Sequence, residues 1–326
     1  IDTGLQIGGR GVDNQGVIKA AQAELKAAGG SVYDLAINQS GTVRATGVER
    51  RNGRILLSSG GGSLEVSGTQ EARNQDGSGG EIYAGGGFQG SDAAIENAET
   101  LTVRETAVFD VSASAGEADG GRVILWSDGL TSFQGSINAI GGTDSGDGGF
   151  AEVSGRERLD FRPSSVDLSA ETGSAGTLLL DPDDLLIVDA RMQGEAAVVD
   201  TGSGTVTPEP GSGVWDPDFA GSEVLAETVE GLLETTNVVL QASGSIFGMA
   251  PVETTAGSAN NLTLTAGQDI ILEEVIDLQQ GDLSLLAQGS IQGPSAFPGF
   301  PGVGGNPITA NRISIGASGG AGLASV

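Results

Sequence analysis

The chain of 326 residues contains no cysteine and no histidine. Without cysteine there is no disulfide framework, no thiolate metal site and no cysteine nucleophile. Without histidine there is no Ser-His-Asp triad and no imidazole ligand. Aromatic residues make up 4% of the chain, and 15 Lys and Arg stand against 43 Asp and Glu. The formal charge of −28 makes electrostatic binding to nucleic acid or an anionic membrane unfavourable. No apolar run reaches the ~18 residues that a membrane-spanning helix needs.

What the chain has in excess is glycine: 56 of 326 residues, more than twice the usual share of roughly 7%. High charge and high glycine point towards disorder. Against that, 38% of the residues are hydrophobic, and Val, Ile and Leu come in short alternating bursts with glycine between them. Alternation is the mark of strands, and the length suffices for a large core. The chain opens at Ile1, without an initiator Met or a signal peptide, and closes on Gly322-Leu323-Ala324-Ser325-Val326. It therefore reads as a processed or observed piece of a longer protein.

One degenerate unit recurs: a glycine, any residue, then two apolar residues flanking a free position. It appears at Gly53, Gly62, Gly80, Gly121 and Gly149, with Gly53 and Gly80 27 residues apart and Gly121 and Gly149 28 apart. A second set follows at Val238–Ala242, Leu262–Ala266, Leu283–Ala287 and Ile313–Ala317, offset by 24, 21 and 30 residues. Short strands at irregular intervals of this size suit a solenoid with variable loops. The expectation is an all-β, right-handed parallel β-helix of about 12 to 15 coils spanning on the order of 60 Å, with inward aliphatics stacked along the axis. A β-sandwich is the competing architecture, but it calls for longer strands and more aromatic core residues.

Two stretches break the strand pattern. Residues 17–28 are Ala-rich, and Val17, Ile18, Ala21 and Leu25 share one helical face, which predicts a short helix. Residues 222–234 predict a second helix, with Ser222 as N-cap and Val224, Leu225, Thr228, Val229 and Leu232 at helical spacing. The expected organisation is an N-terminal segment over 1–30, a β-helix stretch over 31–190, an acidic Gly/Pro-rich excursion with a short helix over 191–236, and a second β-helix stretch over 237–326. Another long loop is expected in the Pro/Gly-rich stretch 292–307.

The ordered run from Gly120-Gly121-Arg122-Val123-Ile124-Leu125-Trp126-Ser127-Asp128-Gly129, through Phe133–Ala139, Gly148–Gly155 and Val166–Ala170, to Gly176-Thr177-Leu178-Leu179-Leu180-Asp181-Pro182 resembles the large exoproteins of the filamentous haemagglutinin type. Those proteins are secreted by the two-partner route in Gram-negative bacteria. The stretch Leu35–Gly47 is similar to their upstream parts, and Leu262–Ile270 resembles their repeat region. The resemblance covers most of residues 30–320, and its most specific part is Gly120–Pro182. It implies a β-helix shaft, export past an outer-membrane secretion partner, an extracellular or outer-surface location, and roles in adhesion, aggregation or fibres. The missing cysteine agrees with passage across the outer membrane unfolded. The family's N-terminal secretion domain is not visible in these residues.

Candidate chemistry is sparse. Asp144 and Asp147, in a Gly-rich loop, offer oxygens of the kind that calcium takes, as does the turn containing Asp76. The strict nonapeptide of calcium β-rolls is missing, so solvated corner turns are the plainer reading. Asp181, Asp183 and Asp184 form the densest acid cluster, open to calcium or to acid–base chemistry on sugars, but without adjacent basic residues. A turn role is favoured there. Arg44, Arg50, Arg51 and Arg54 are read as solvated charge or as partners of carboxylates on a neighbouring coil. Trp126 is expected to face outward under loop packing, and Trp215 is a possible sugar platform. No catalytic residue is assigned. The expected function is a secreted structural or adhesive shaft, not an enzyme, able to stack on copies of itself end to end and to meet a host or cell-surface glycan or protein. The alternatives are a β-helix carbohydrate-active enzyme and a calcium-dependent binding module.

Overall fold

The computed structural model describes residues 11–27, 35–47, 52–190, 198–200, 206–208, 221–293, 308–318 and 320–322. Successive short strands fall on three faces in turn. Leu130–Phe133, Ser136–Asn138 and Phe150–Gly155 make one coil; Arg158–Phe161, Ser165–Asp167 and Thr177–Leu180 make the next. Coils stack in parallel register, so Ala151 lies over Val123 and Leu178 over Ala151. The result is a parallel β-helix. Sheet A has twelve strands, sheet B six, and sheet C ten; a three-stranded sheet D, starting at Val252–Glu253, continues the second face. The parallel register excludes the sandwich; among the described strand pairs only Val198–Asp200 with Val206–Pro208 runs antiparallel.

The interior follows from alternation. On sheet C, Ile55, Ile82, Val123, Ala151, Leu178, Val238, Leu262 and Leu283 form one inward column, each over the last. All are buried. At a rung spacing of about 4.8 Å, aliphatic columns of this kind pack continuously along the axis. Sheet A adds Phe133 over Phe161, stacked at 5.6 Å and 15°. Sheet B has one misfit: Gln70 stands in the column of Val43, Phe109 and Ile137, fully buried, and neither its amide nitrogen nor its oxygen has a partner. Leu186, Val188 and Phe247 point outward from sheet A yet are buried, in a second apolar cluster with Leu225, Met249 and Ile271.

Corners are built from glycine where backbone meets backbone. Gly53, Gly80, Gly121, Gly149 and Gly176 stack between the second and third faces, and each carbonyl accepts the N–H that opens the strand on the next coil, from Glu81, Arg122, Phe150, Thr177 and Asn237. A Cβ on Gly149 would overlap the Gly121 carbonyl oxygen.

Two expectations are corrected. Residues 17–28 do not form a helix: Val17–Ala20 and Gln22–Lys26 are strands of the first described coil. Ile18, Ala23 and Leu25 face inward, while Val17 is 64% exposed. The alanines suit a narrow interior, and coil-to-coil pairing overrides helix propensity. The second helix exists but is shorter, Ala226–Leu233, because Ser222–Leu225 is a strand of sheet A. Ser222 is not its N-cap; its Oγ accepts the Leu159 N–H at 2.8 Å. Among the described residues sheet A has twelve strands and sheet C ten, against the expected 12 to 15 coils. The loop over 85–99 consumes chain without adding a rung to sheet C.

Two substitutions separate glycine's roles. Gly149→Ala is expected to lower stability by about 1–3 kcal/mol through overpacking at the corner. Gly231→Ala, in the helix with nothing within 4 Å of the added carbon, is expected to raise it by up to about 1 kcal/mol. Denaturant melts of both variants test the pair. Gln70→Leu, which replaces two unsatisfied polar atoms by apolar ones of similar volume, is expected to gain about 1–3 kcal/mol in the same assay.

Candidate functional site: a clasped loop on the outer face of sheet C

The longest described loop between two successive rungs leaves sheet C after Glu81–Ala84 and runs over 85–99 before sheet A resumes at Thr100. The run Gly85-Gly86-Gly87 lets the backbone turn out and lie flat on the sheet, with Gly85 at φ 81°. Beneath it sits Trp126, which points outward from its strand and is nevertheless only 4% exposed. Gly86 and Gly90 lie directly on the indole, leaving no room there for a side chain. The indole Nε1–H donates to Asp128 Oδ1 at 3.3 Å, and Asn97 Nδ2 donates to the same oxygen at 3.0 Å.

A single glutamine clasps the loop. Gln89 sits in the short turn Phe88–Gly90 at φ 51°, a left-handed conformation uncommon outside glycine. Its backbone N–H donates to both carboxyl oxygens of Glu152, each at 3.1 Å. Its side-chain Nε2 donates to Asp181 Oδ2 at 3.1 Å, an oxygen that also accepts from Gln241 Nε2 at 3.1 Å. Glu152 points outward between Phe150 and Ser154 but is 0% exposed. Burial pushes its carboxyl up to about 8, opposed by the Gln89 N–H and reinforced by the negative charge of Asp181. Asp181 is raised as well, by burial first, against the two glutamine donors. Glu152 is therefore held as a neutral acid near neutral pH.

Beside the clasp, the Arg122 guanidinium lies over the rings of both Phe88 and Phe150, 4.9 Å from each centroid. The rings meet edge to face at 5.9 Å and 64°. Arg122 thus ties the loop to the sheet through cation–π contacts, and its Nε is buried without a hydrogen-bond partner. Adjacent to it runs the glycine corner, a shallow groove of about 490 Å³ with Asn74, Asp119, Asp147 and Ser174 on one rim and Glu81, Arg122, Phe150 and Thr177 on the other.

The candidate acids from the sequence fall into separate places. Asp147 Oδ1 accepts the Ser174 N–H at 2.7 Å, and its own N–H goes to Asp119 Oδ1 at 2.9 Å. Asp144 lies exposed on the neighbouring turn, its N–H on the Gly116 carbonyl at 2.7 Å. Asp183 accepts the Ser243 hydroxyl at 2.7 Å and Asp184 accepts the Ser245 N–H at 2.7 Å. Asp181 belongs to the clasp. Asp76 accepts the Ser78 N–H and hydroxyl in a local turn. Among the described residues no three Asp or Glu side chains gather as a group able to hold a metal. Arg44 pairs with Glu71 on the next coil at 2.6 Å, Glu71 also meets Arg73, and Arg73 reaches Asp110 at 2.7 Å. Arg54 lies over the Tyr83 ring at 4.7 Å. Arg50, Arg51 and Trp215 lie outside the described residues.

Sequence reasoning missed Gln89 and Glu152. The available signal was the gap between the unit at Gly80 and the next strand, opened by three consecutive glycines; nothing local to Glu152 marks it as buried. Compared with known proteins, the chain matches no family model and no curated protein.

The raised Glu152 pKa has a signed consequence. Between the ordinary value of 4.5 and about 8 the folded protein keeps a proton that the unfolded chain has lost. Stability contributed by the neutral acid is complete below the lower value and is lost as pH rises, by about 1.4 kcal/mol per pH unit within the window. Glu152→Gln keeps an acceptor for the Gln89 N–H and cannot ionise. Thermal melts from pH 5 to 8 are expected to show the wild-type midpoint falling relative to the variant; parallel curves would disprove the assignment.

Proposed function

We propose that this chain is a shaft segment of a secreted or cell-surface exoprotein of the filamentous haemagglutinin type, acting as a rigid spacer or as the subunit of an extracellular filament. The observation that carries the reading is the unbroken ladder of sheet C, ten parallel strands from Gln22–Lys26 to Arg312–Ala317. A ladder of that kind is a stiff, load-distributing element: each rung shares several backbone hydrogen bonds with its neighbours and encloses a dry aliphatic column. Nine spacings of about 4.8 Å give it a length of roughly 43 Å. Charged side chains outside the core tie coil to coil in the Arg44–Glu71–Arg73–Asp110 chain. No described helix is long and apolar enough to cross a membrane. Export would take the chain past an outer-membrane partner, and adhesion would place a glycan or protein ligand on the shaft or on neighbouring parts of a longer chain.

A carbohydrate-active β-helix is the second reading, favoured by the Glu152 and Asp181 carboxyls on one outer face. Both carboxyls are engaged by the loop that covers them, which argues for a structural clasp.

Electron microscopy of the protein isolated from its source is expected to show rods, single or joined end to end. Compact particles without a rod, or release of reducing or unsaturated sugars from a polysaccharide panel, would overturn the shaft.

A further inference from the structure

We infer that the rod contains one built-in joint, at the level where Ser222–Leu225 enters sheet A, and that sheet C is the strap about which the joint opens. The inference rests on the shaft reading only for its purpose; its geometry is independent of it.

On sheet A the strand Ser222–Leu225 lies out of sequence, between Arg158–Phe161 below and Leu185–Val188 above. With the upper strand it pairs over four residues, Leu185 to Val188. With the lower strand it shares a single pair, Asp160 with Glu223. The N–H of Leu159 goes to the Ser222 hydroxyl at 2.8 Å instead of to a backbone carbonyl. The lower edge of the inserted strand is therefore thinly joined.

The second face is interrupted at the same level. Sheet B ends at Ser165–Asp167, and sheet D begins at Val252–Glu253. The helix Ala226–Leu233 takes the rung between them. A helix spends its own carbonyls internally and cannot extend a strand ladder. Side chains stand in: Glu230 Oε1 accepts the Glu253 N–H at 2.8 Å, and Glu234 Oε1 accepts the Thr255 N–H at 3.4 Å and its hydroxyl at 2.8 Å. Below, the Leu168 N–H goes to Thr236 Oγ1 at 3.3 Å.

Sheet C alone passes this level intact, Thr177–Leu180 pairing with the strand Asn237–Ala242 over four residues. One face joined by a single residue pair, one face handed over to a helix and one fully paired face make a hinge below the inserted rung. At rest it is closed, because Ala226, Val229, Leu232 and Leu233 fill the core between the two stacks. Opening would part the Asp160–Glu223 pair and the Leu168–Thr236 contact, both below the inserted rung, while sheet C and the carboxylate contacts above the helix hold.

Native-state hydrogen exchange of the whole chain tests this. The amides of Leu159 and Leu168 are expected to exchange about tenfold or more faster than paired amides within either stack, such as Ile137 and Leu264. A staple follows from the absence of cysteine: D160C with E223C can form only one intramolecular disulfide. Neighbouring rungs lie about 4.8 Å apart, inside the roughly 4.4–6.8 Å Cα window for that bond. The oxidised staple is expected to slow Leu159 exchange to the level of its neighbours, and reduction to restore it. Should the double variant fail to fold, exchange of the unmodified chain in low denaturant decides: Leu159 and Leu168 are expected to share one opening isotherm, below that of Leu264. Uniform exchange across the rod, separate isotherms for the two amides, or a staple without these local effects, would overturn the joint. A rod-less particle in the microscope would instead overturn the shaft, so the two failures are distinguishable.

Discussion

Everything in this molecule depends on the backbone ladder between coils. Parallel strands at about 4.8 Å leave room for hydrogen bonds along the faces, but the corners between faces have no strand geometry to supply acceptors. Two solutions recur. In one, glycine removes the side chain so that a carbonyl can lie directly against the next coil, as Gly121 does beneath Gly149. In the other, a short polar side chain reaches one rung along and accepts a backbone N–H. Asn237 accepts from Asn261, Asn261 from Asp282, Asp184 from Ser245, and Asp269 from Ser290. The high glycine and part of the high acid content are thus two answers to one constraint.

The charge follows the same logic. Many carboxylates are fixed as acceptors at corners, where a solvated Asp accepts N–H groups at little desolvation cost. The few cations are placed in register to interleave with them: Arg44, Glu71 and Asp110 occupy successive rungs of one outward column on sheet B. Exposed pairs of this kind contribute little each, roughly 0–1 kcal/mol, and serve more to relieve like-charge repulsion between rungs. A net charge of −28 left over on a rod discourages lateral clumping of rods at low ionic strength.

Regular rungs were legible in the sequence because a period of two and a glycine at each corner are local signals. The Gly121 and Gly149 units give successive strands in register, and the outward parity of Trp126 follows from simple alternation. The misreadings have a common cause. Residues 17–26 carry a pattern that fits a helical face and an alternating strand equally, and the arbiter is a neighbouring coil at residues 42–46 and 54–58. Ser222 has the residue type of a helix cap, yet its hydroxyl is spent on Leu159, 63 residues earlier. The clasp on Glu152 was equally hidden, since its donor, Gln89, also lies 63 residues away. A solenoid's repeats are local, whereas its exceptions are set by whatever another coil happens to place beside them.

Glu152 and the corner aspartates show how burial alone assigns opposite roles to one chemical group. Asp147 is exposed and accepts the Ser174 N–H in contact with solvent. Glu152 is fully buried, has one backbone N–H shared between two oxygens and a hydrogen bond from the Ser154 side chain, and stands near a second carboxyl. These two donors do not offset the loss of hydration around a full charge, so the proton stays. A neutral acid is the better clasp there, because it holds Gln89 without repelling Asp181, which the same glutamine must also reach. The loop over Trp126 is therefore secured by groups whose charge has been suppressed, on a rod whose exposed carboxylates elsewhere are used for their charge.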